Sequence, residues 1–302
     1  MKNKYHVTLV GSGMIGAGLA VNALINGHPT IIYDVIDLEK VKKTVQDVLD
    51  IMVEAGAITG EKAAEAASLA SYTNNLDLAV EKADFVQECV PERIELKQSI
   101  YRQIQEKRGD KVVICSSTSA IMPSVLQKDM LYPKKILVGH PYNPSYLLPL
   151  IEVCGGPDAD QEVVELVMNI YRSMGKEPIY CKKETEGFIV NKLSWAAMDA
   201  AKKVVLDGVC TVEDIDKAII YGPGMRMAVT GQIMTMSLGV QGGLKAAAAK
   251  YGKEPNEADI ILGDGVDAEI AARPKEFGNT VEDVIKFRDK IFAVILKEYG
   301  KL

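Results

Sequence analysis

Residues 6–34 read HVTLVGSGMIGAGLAVNALINGHPTIIYD, and their order decides the fold. An apolar run from His6 to Val10 enters Gly11-Ser12-Gly13-Met14-Ile15-Gly16, a G-x-G-x-x-G. Residues 17–26 are rich in Ala, Leu and Val, stop at Gly27, and predict a helix. Thr30-Ile31-Ile32-Tyr33 predicts a second strand, closed by Asp34. Strand, glycine loop, helix, strand and acid in succession form a dinucleotide-binding fingerprint, much more specific than the glycines alone. Gly11 permits the tight turn, Gly13 lets the backbone approach a pyrophosphate, and Gly16 lets the helix lie close on the strand. The N–H groups of the helix start, at Met14 and Ile15, then face the phosphates. Asp34 is placed to accept the adenosine ribose hydroxyls and to repel a 2′-phosphate. No Lys or Arg follows until Lys40, so NAD is expected rather than NADP. A structural glycine turn in some other α/β protein is the competing reading.

The pattern continues downstream. Residues 38–67 predict two helical segments broken near Gly56 to Gly60, 68–73 a third strand, and 85–90 a clearer fourth, halted by Pro91. A helix from Glu92 to Lys107 follows. Glu92 and Lys97 flank the carboxyl end of a strand, the edge where doubly wound sheets bind ligands. Either fits a contact with nicotinamide ribose or substrate, and a solvated helix start explains them as well. Residues 111–115 predict a fifth strand that empties into Ser116-Ser117-Thr118-Ser119. Helix capping accounts for one or two hydroxyls there, not for a run of four.

Residues 137–153, LVGHPYNPSYLLPLIEV, carry the chemistry. Pro141, Pro144 and Pro149 cannot donate to a sheet ladder and bias their predecessors toward extended backbone. The stretch therefore reads as strand, rigid turn, strand. His140 sits at one strand end and Glu152 on the neighbour, with a return long enough to bring carboxylate to imidazole. A carboxylate on one ring nitrogen fixes the tautomer and leaves the other as a general base. The bland alternative is a strand-end His with a solvated Glu. His6 at a strand start and His28 in a turn read as surface residues, which leaves His140 as the only histidine for chemistry.

Residues 161–174 predict a helix and 177–181 a strand; after Glu184 only helices are expected, over 187–206, 211–220, 232–250 and 280–299. Residues 222–224 read as a break, and 253–279 are the least legible. The fold class is thus α/β, with a Rossmann-type doubly wound sheet in residues 1–185 and an all-helical domain in 186–302, and with the chemistry expected between them. The 302 residues carry a net charge of −6 without a basic run, which argues against nucleic acid and anionic membranes. No apolar stretch is long enough to span a bilayer. The N-terminus enters a strand at once, leaving no room for a signal peptide. Five widely spaced cysteines lack metal-ligand spacing and read as thiols in a reducing compartment. A cytoplasmic protein without a metal is expected.

Together these residues resemble the L-3-hydroxyacyl-CoA dehydrogenase family over nearly the whole chain. The resemblance rests on the glycine loop with Asp34, Glu92 with Lys97, Ser117-Thr118-Ser119, His140-Pro-Tyr-Asn-Pro, Leu150-Ile-Glu-Val and Gly187-Phe-Ile-Val-Asn. It implies that His140 is the base, Glu152 its orienting partner, and Ser119 and Asn191 the groups that hold the substrate oxygen, with Asn143 also at the substrate. It also implies NAD as cofactor, two domains, and a homodimer formed through the helical one. The acyl-CoA enzymes usually carry a Gly-Tyr-Pro-Met-Gly-Pro-Phe-like segment; here residues 221–232 read YGPGMRMAVTGQ. Gly224-Met225-Arg226 is similar to L-gulonate 3-dehydrogenases, with lambda-crystallin, and to L-carnitine dehydrogenases, which oxidise 3-hydroxy acids bearing a free carboxylate. Met227 and Gly231-Gln232 depart from those patterns too. Arg226, expected to be buried at an inter-domain site, would then meet the substrate carboxylate with its planar fork. A salt bridge to a glutamate is the alternative. The implied activity is hydride transfer between NAD and the C3 hydroxyl of a small free 3-hydroxy acid; the runner-up is a 3-hydroxyacyl-CoA dehydrogenase. A non-enzymatic NAD-binding or structural protein is the third reading, opposed by the intact Ser119, His140, Glu152 and Asn191.

Overall fold

Short strands whose alternate residues face opposite sides of a sheet need cover on both sides, and this sequence supplies it with helices between the strands. A computed structural model describes residues 4–247 and 253–302. The chain runs β1 (Val7–Val10), α1 (Met14–Ile25), β2 (Thr30–Tyr33), α2 (Leu38–Glu54), α3 (Gly60–Ser68), β3 (Ala70–Thr73), α4 (Leu76–Val80), β4 (Phe85–Glu88) and α5 (Ile94–Arg108). It continues through β5 (Val113–Ser116), α6 (Pro123–Gln127), β6 (Ile136–Pro141), β7 (Leu150–Cys154), α7 (Gln161–Ser173) and β8 (Glu177–Tyr180). One eight-stranded sheet results, in the order β3-β2-β1-β4-β5-β6-β7-β8. β1 to β6 are parallel; β7 returns antiparallel to β6, and β8 runs parallel to β7. The expected doubly wound sheet is present.

The period of two divides the core. Val7, Leu9, Phe85, Val113 and Leu137 pack with α1, α2 and α7 on one face. Val10, Val86, Ile114, Ile136 and Val138 pack with α4 and α5 on the other. Each buried Val, Leu, Ile or Phe contributes about 1.5–3 kcal/mol relative to exposure, so this sandwich is the main source of stability. Helix α2 shows how the sequence selects its face. Val41, Val45, Val48, Leu49 and Met52 recur at helical spacing and are buried, while Asp37 caps the start by accepting from the N–H groups of Glu39 and Lys40.

The order reverses between β1 and β4, and the strand ends on either side define the carboxyl edge. Val10 is level with Glu88, Glu88 with Ser116, and Ser116 with Val138. The glycine loop, Glu92, the hydroxyl run and His140 therefore all leave the sheet along one edge.

The remaining helices are α8 (Val190–Leu206), α9 (Val212–Tyr221), α10 (Pro223–Thr230), α11 (Gln232–Leu238), α12 (Gly243–Ala247), α13 (Glu257–Ala272) and α14 (Val281–Glu298). The chain divides into two compact units, Met1–Ala196 and Ala197–Leu302, so the border falls inside α8. The second unit is helical throughout its described residues; the end of the stretch expected to be helical over 232–250 lies outside them. The helix expected over 211–220 breaks as read, with α9 ending at Tyr221 and Gly222 as its cap, and Pro223 at a first helical position starts α10 at once. One reading needs correction. His28 is buried, not a surface residue: its Nδ1 accepts from the Tyr5 N–H at 3.0 Å and its Nε2 lies 2.9 Å from the Ser173 carbonyl.

Candidate active site

The glycine loop has the geometry its spacing predicts. Gly11 has φ +100°, and a Cβ there would lie 2.7 Å from the Cys89 carbonyl oxygen. A Cβ on Gly16 would lie 2.0 Å from the Gly11 carbonyl oxygen, so the loop closes only without side chains. At Gly13 a Cβ would meet nothing within 4 Å, which leaves open space where a phosphate can approach the backbone. Helix α1 starts there with no side-chain cap and no acid in its first turn, so its N–H groups at Met14, Ile15 and Gly16 are free for an anion. These features fit a dinucleotide.

Asp34 ends β2 and is fixed before any ligand arrives. Its Oδ2 accepts from the Ser12 N–H at 2.7 Å and the Ser12 hydroxyl at 2.6 Å, and its Oδ1 from the Val35 N–H at 2.7 Å. Partial burial works against ionisation, but the hydrogen bonds from Ser12, Val35 and Ile36 outweigh it and hold the carboxyl below its usual range. Asn74, from the turn after β3, donates to the carbonyls of Asp34 and Ile36 and so steadies the same turn.

The four hydroxyls of the run play different parts. Ser116 donates to the buried Glu88 at 2.7 Å. Ser117 accepts from Gln87 Nε2 at 2.7 Å and lies 3.0 Å from Cys89 Sγ. Burial pushes that thiol up to about 12, so Cys89 is an uncharged neighbour. Thr118 donates to Glu92 and accepts from the N–H groups of Ala120 and Ile121. Only Ser119 remains exposed and without an internal hydrogen bond among the described residues. Ser116 is level with Val138 at the end of the β5–β6 pairing, so the hydroxyl run leaves the sheet at the edge toward which β6 carries His140.

His140 and Glu152 face each other across the antiparallel β6–β7 register, and His140 Nδ1 lies 2.7 Å from Glu152 Oε2. Both are buried, at 8% and 1% exposure. The other Glu152 oxygen accepts from the Ile189 N–H at 2.7 Å and the Val190 N–H at 3.0 Å. The carboxylate thereby also holds the start of α8, and the half-buried Asn191 is the next residue. The Phe188 ring packs on the imidazole, 5.6 Å between centroids. Burial opposes ionisation of Glu152, yet the bonds from His140, Val190 and Ile189 keep its carboxyl below the ordinary value. With Nδ1 turned to the carboxylate, Nε2 makes no hydrogen bond among the described residues and is the ring nitrogen open to a ligand.

Two expectations are corrected. Lys97 is engaged inside the protein: it is 1% exposed, its ammonium donates to Glu88 Oε1 at 2.8 Å and to the Val90 carbonyl at 3.3 Å, and it forms an ion pair with Glu92 Oε2 at 3.2 Å. Glu88, to which the sequence pattern alone assigns no part, is the reason; two adjacent polar residues, Gln87-Glu88, in a fully buried strand are its signal. Arg226 is exposed on α10, where its Nη2 makes one long bond of 3.4 Å to the Thr235 carbonyl. A surface guanidinium carries no desolvation penalty for an anion to offset. Asn143 is exposed in the loop after β6. No cluster of His, Cys, Asp or Glu able to hold a metal occurs among the described residues, and no helix there is long and apolar enough to cross a membrane.

A glycine loop and a fixed acid that suit a dinucleotide, with an imidazole–carboxylate pair on the same carboxyl edge, are the features of an NAD-dependent dehydrogenase. Residues 6–185 match the family model of the 3-hydroxyacyl-CoA dehydrogenase NAD-binding domain, and 187–276 that of the 3-hydroxyacyl-CoA dehydrogenase C-terminal domain. The chain belongs to the 3-hydroxyacyl-CoA dehydrogenase family. It is 38% identical to an L-carnitine dehydrogenase of Bacillus cereus, over 82% of this chain and 75% of that protein. It is 34% identical to the human lambda-crystallin homolog, over 78% of this chain and 75% of that one. The solved (S)-3-hydroxybutyryl-CoA dehydrogenase PaaH1 of Ralstonia eutropha shares the fold, with a TM-score of 0.67 and 24% identity over 88% of this chain and 94% of that one.

Replacing His140 tests the site directly. His140→Gln should lower kcat by about 10²-fold or more, the usual range for a lost general base, while NADH binding stays nearly intact. Turnover within threefold of the parent enzyme would remove His140 from the role. Glu152 gives a pH signature. Its folded-state value lies below the ordinary 4.5, so the carboxylate stabilises the fold above that pH and the contribution drains away as pH falls through the lowered value. Glu152→Gln should therefore flatten that part of the acid-unfolding curve and lower stability at neutral pH. Thermal melts from pH 3 to 7 with an unchanged acid slope would refute the assignment.

Proposed function

We propose that the enzyme transfers a hydride between NAD and the C3 hydroxyl of a small free 3-hydroxy acid, of the L-carnitine or L-gulonate kind. The observation that carries the reading is the His140–Glu152 pair, whose free Nε2 stands on the same sheet edge as the dinucleotide loop. NAD, when bound, supplies the hydride chemistry. The protein's own residues manage one proton and one oxygen. In oxidation His140 Nε2 removes the hydroxyl proton, and Glu152 stabilises the imidazolium that forms; in reduction the imidazolium returns the proton. Ser119 and Asn191 supply hydrogen bonds to the oxygen whose charge changes.

A free acid is favoured over a CoA thioester by the relatives named L-carnitine dehydrogenase and by the acidic chain, which offers no basic run to a phosphorylated carrier. Arg226 supports the same choice on new grounds. It makes no carboxylate contact among the described residues, so its fork is available to a substrate carboxylate.

We also infer a homodimer in the cytoplasm. Among the described residues the buried apolar cluster of the helical unit is small, Met234, Val266, Ile270 and Val284, with Met225 buried apart from it, whereas Leu206, Val209, Val212, Ile219, Ile220 and Ile261 are exposed. That apolar surface suits a second copy of the chain. The five free cysteines suit a reducing compartment.

NADH formation across L-carnitine, L-gulonate, 3-hydroxybutyrate and 3-hydroxybutyryl-CoA tests the substrate class; turnover is expected on a free acid, and preference for the thioester would promote the acyl-CoA reading. Arg226→Met should reduce kcat/KM for the free acid by about 10- to 100-fold, the range for a hydrogen bond to a charged group, and leave the thioester far less affected. Equal losses on both would make the arginine structural. In gel filtration with light scattering the chain should run at twice its mass, and a monomer at micromolar concentration would end the dimer proposal.

A further inference from the structure

In β4 a side-chain amide stands where the core pattern asks for a hydrocarbon. Gln87 is 0% exposed and shares a face with Phe85, two residues back, whose cluster is apolar. A buried amide is costly unless its groups are paired, and here they are. Nε2 donates to the Ser117 hydroxyl at 2.7 Å and to the Gly139 carbonyl at 3.2 Å, while Oε1 accepts from the Tyr171 hydroxyl at 2.5 Å. A carbonyl can only accept, so Gly139 decides which way the amide points. Burial holds the Tyr171 hydroxyl well above its ordinary value, so it stays protonated and remains a donor.

The two acceptors belong to different strand ends. Pairing of β5 with β6 stops at Ser116 and Val138, and Ser117 and Gly139 are the next residues on each. Ser119 lies two residues beyond the first, and His140 one beyond the second. Past the last rung of the ladder, the Gln87 amide ties the two segments together. Gly139 serves the same contact: a Cβ there would lie 1.8 Å from the Tyr171 hydroxyl oxygen, so only a glycine admits the tyrosine to Gln87. An apolar residue of similar volume would fill the space and need no partners. A strand that keeps the amide has a use for its two donors.

We propose that Gln87 is a positioning residue for the hydride-transfer reaction: by holding Ser117 and Gly139 together it sets the spacing between the Ser119 hydroxyl and the His140 imidazole, which must meet on one substrate oxygen. The proposal rests on the roles read above for Ser119 and His140. Gln87 touches neither substrate nor cofactor and acts through the two strand ends. Glu152 orients the imidazole ring; Gln87 fixes its distance from the second group.

The test uses the full-length enzyme, with thermal melts, NADH titrated by its fluorescence, and kcat and KM on whichever of L-carnitine, L-gulonate and 3-hydroxybutyrate turns over fastest. Gln87→Met alone should lower the melting temperature, because Ser117 and Tyr171 lose a partner. Gln87→Met/Tyr171→Phe removes the orphaned tyrosine hydroxyl as well and should melt near the parent. In that double variant kcat should fall about tenfold, short of the ~10²-fold that a 1 Å misplacement can cost. Its NADH affinity should stay parental, and the acid limb of its kcat profile should not move, because the contact of Glu152 with His140 is untouched. Tyr171→Phe alone keeps both donors of Gln87 and should retain kcat within threefold of the parent. An equal loss in Tyr171→Phe would assign the effect to the tyrosine and overturn the proposal. So would a double variant that melts like the parent and keeps parental kcat, since the amide would then be merely structural. Ser117→Ala removes one of the two ties by deleting a single half-buried hydroxyl, and should lower kcat at a parental melting temperature. Unchanged kcat there would overturn the proposal even if the double variant failed to fold. A His140→Gln variant that kept its turnover would sink the reading beneath the proposal, which is a different result.

Discussion

One carboxylate holds the candidate site together. Glu152 is nearly inaccessible, and each of its oxygens is committed, one to His140 Nδ1 and the other to the N–H groups of Ile189 and Val190. The antiparallel register of β6 and β7 puts His140 directly opposite it. A slip of one residue would send the imidazole to one face of the sheet and the carboxylate to the other. The register is protected because both strands are buried on both faces, with Ile136 and Val138 committed to one side and Leu137 to the other. The same contact decides where α8 begins. The unpaired N–H groups of a helix start are an anion site, and here the anion is the carboxylate that faces His140.

The carboxyl edge repeats this device with different outcomes. Asp34, Glu88 and Glu152 all accept several N–H or O–H donors. Asp34 keeps partial exposure and can still meet a ligand. Glu88 is enclosed and speaks to the surface only through Lys97. Glu152 works through an imidazole. Between them, the first turn of α1 carries no acid and no capping side chain, so the field of the helix start is left for phosphate. Negative charge is thus held by donors wherever it is needed and kept away from where a second negative group must bind.

Much of this was legible in the residues. The glycine loop announced itself because glycines are required there by close backbone approach, and the hairpin because three prolines and two apolar runs permit little else. Long amphipathic helices such as α2, α7 and α14 showed their period. What escaped was of two kinds. Five-residue helices, α4 and α6, are too short to display a period at all. And polar residues whose partners are distant in sequence look solvated until the partner is seen: Lys97 needed Glu88, and His28 needed Tyr5 and Ser173. Arg226 failed in the opposite direction, since glycine-rich surroundings suggested enclosure where the chain leaves a short exposed helix.

The loop between β6 and β7 shows why base and cofactor helix cannot be considered apart. Ser145 donates to the Ile15 carbonyl at 3.3 Å, Asn22 donates to the Tyr146 carbonyl at 3.1 Å, and both acceptor and donor on the far side belong to α1. Gly18 lies outside the fingerprint, yet a Cβ there would sit 2.2 Å from the Ser145 hydroxyl oxygen, so the glycine serves the catalytic loop and not the phosphate. From the opposite side Lys176, buried and without a carboxylate among its hydrogen-bond partners, donates to the carbonyls of Ser145 and Leu148. Burial pushes its ammonium down to about 8, so the folded protein favours the neutral amine between that value and the ordinary 10.5 and bears the cost of the charge below it. A protein that accepts such a cost at neutral pH does so where two carbonyls of one tight loop need a donor and water has no access. The loop is thereby pinned from both directions, and the imidazole at its root is held in fixed relation to α1, the helix that follows the glycine loop.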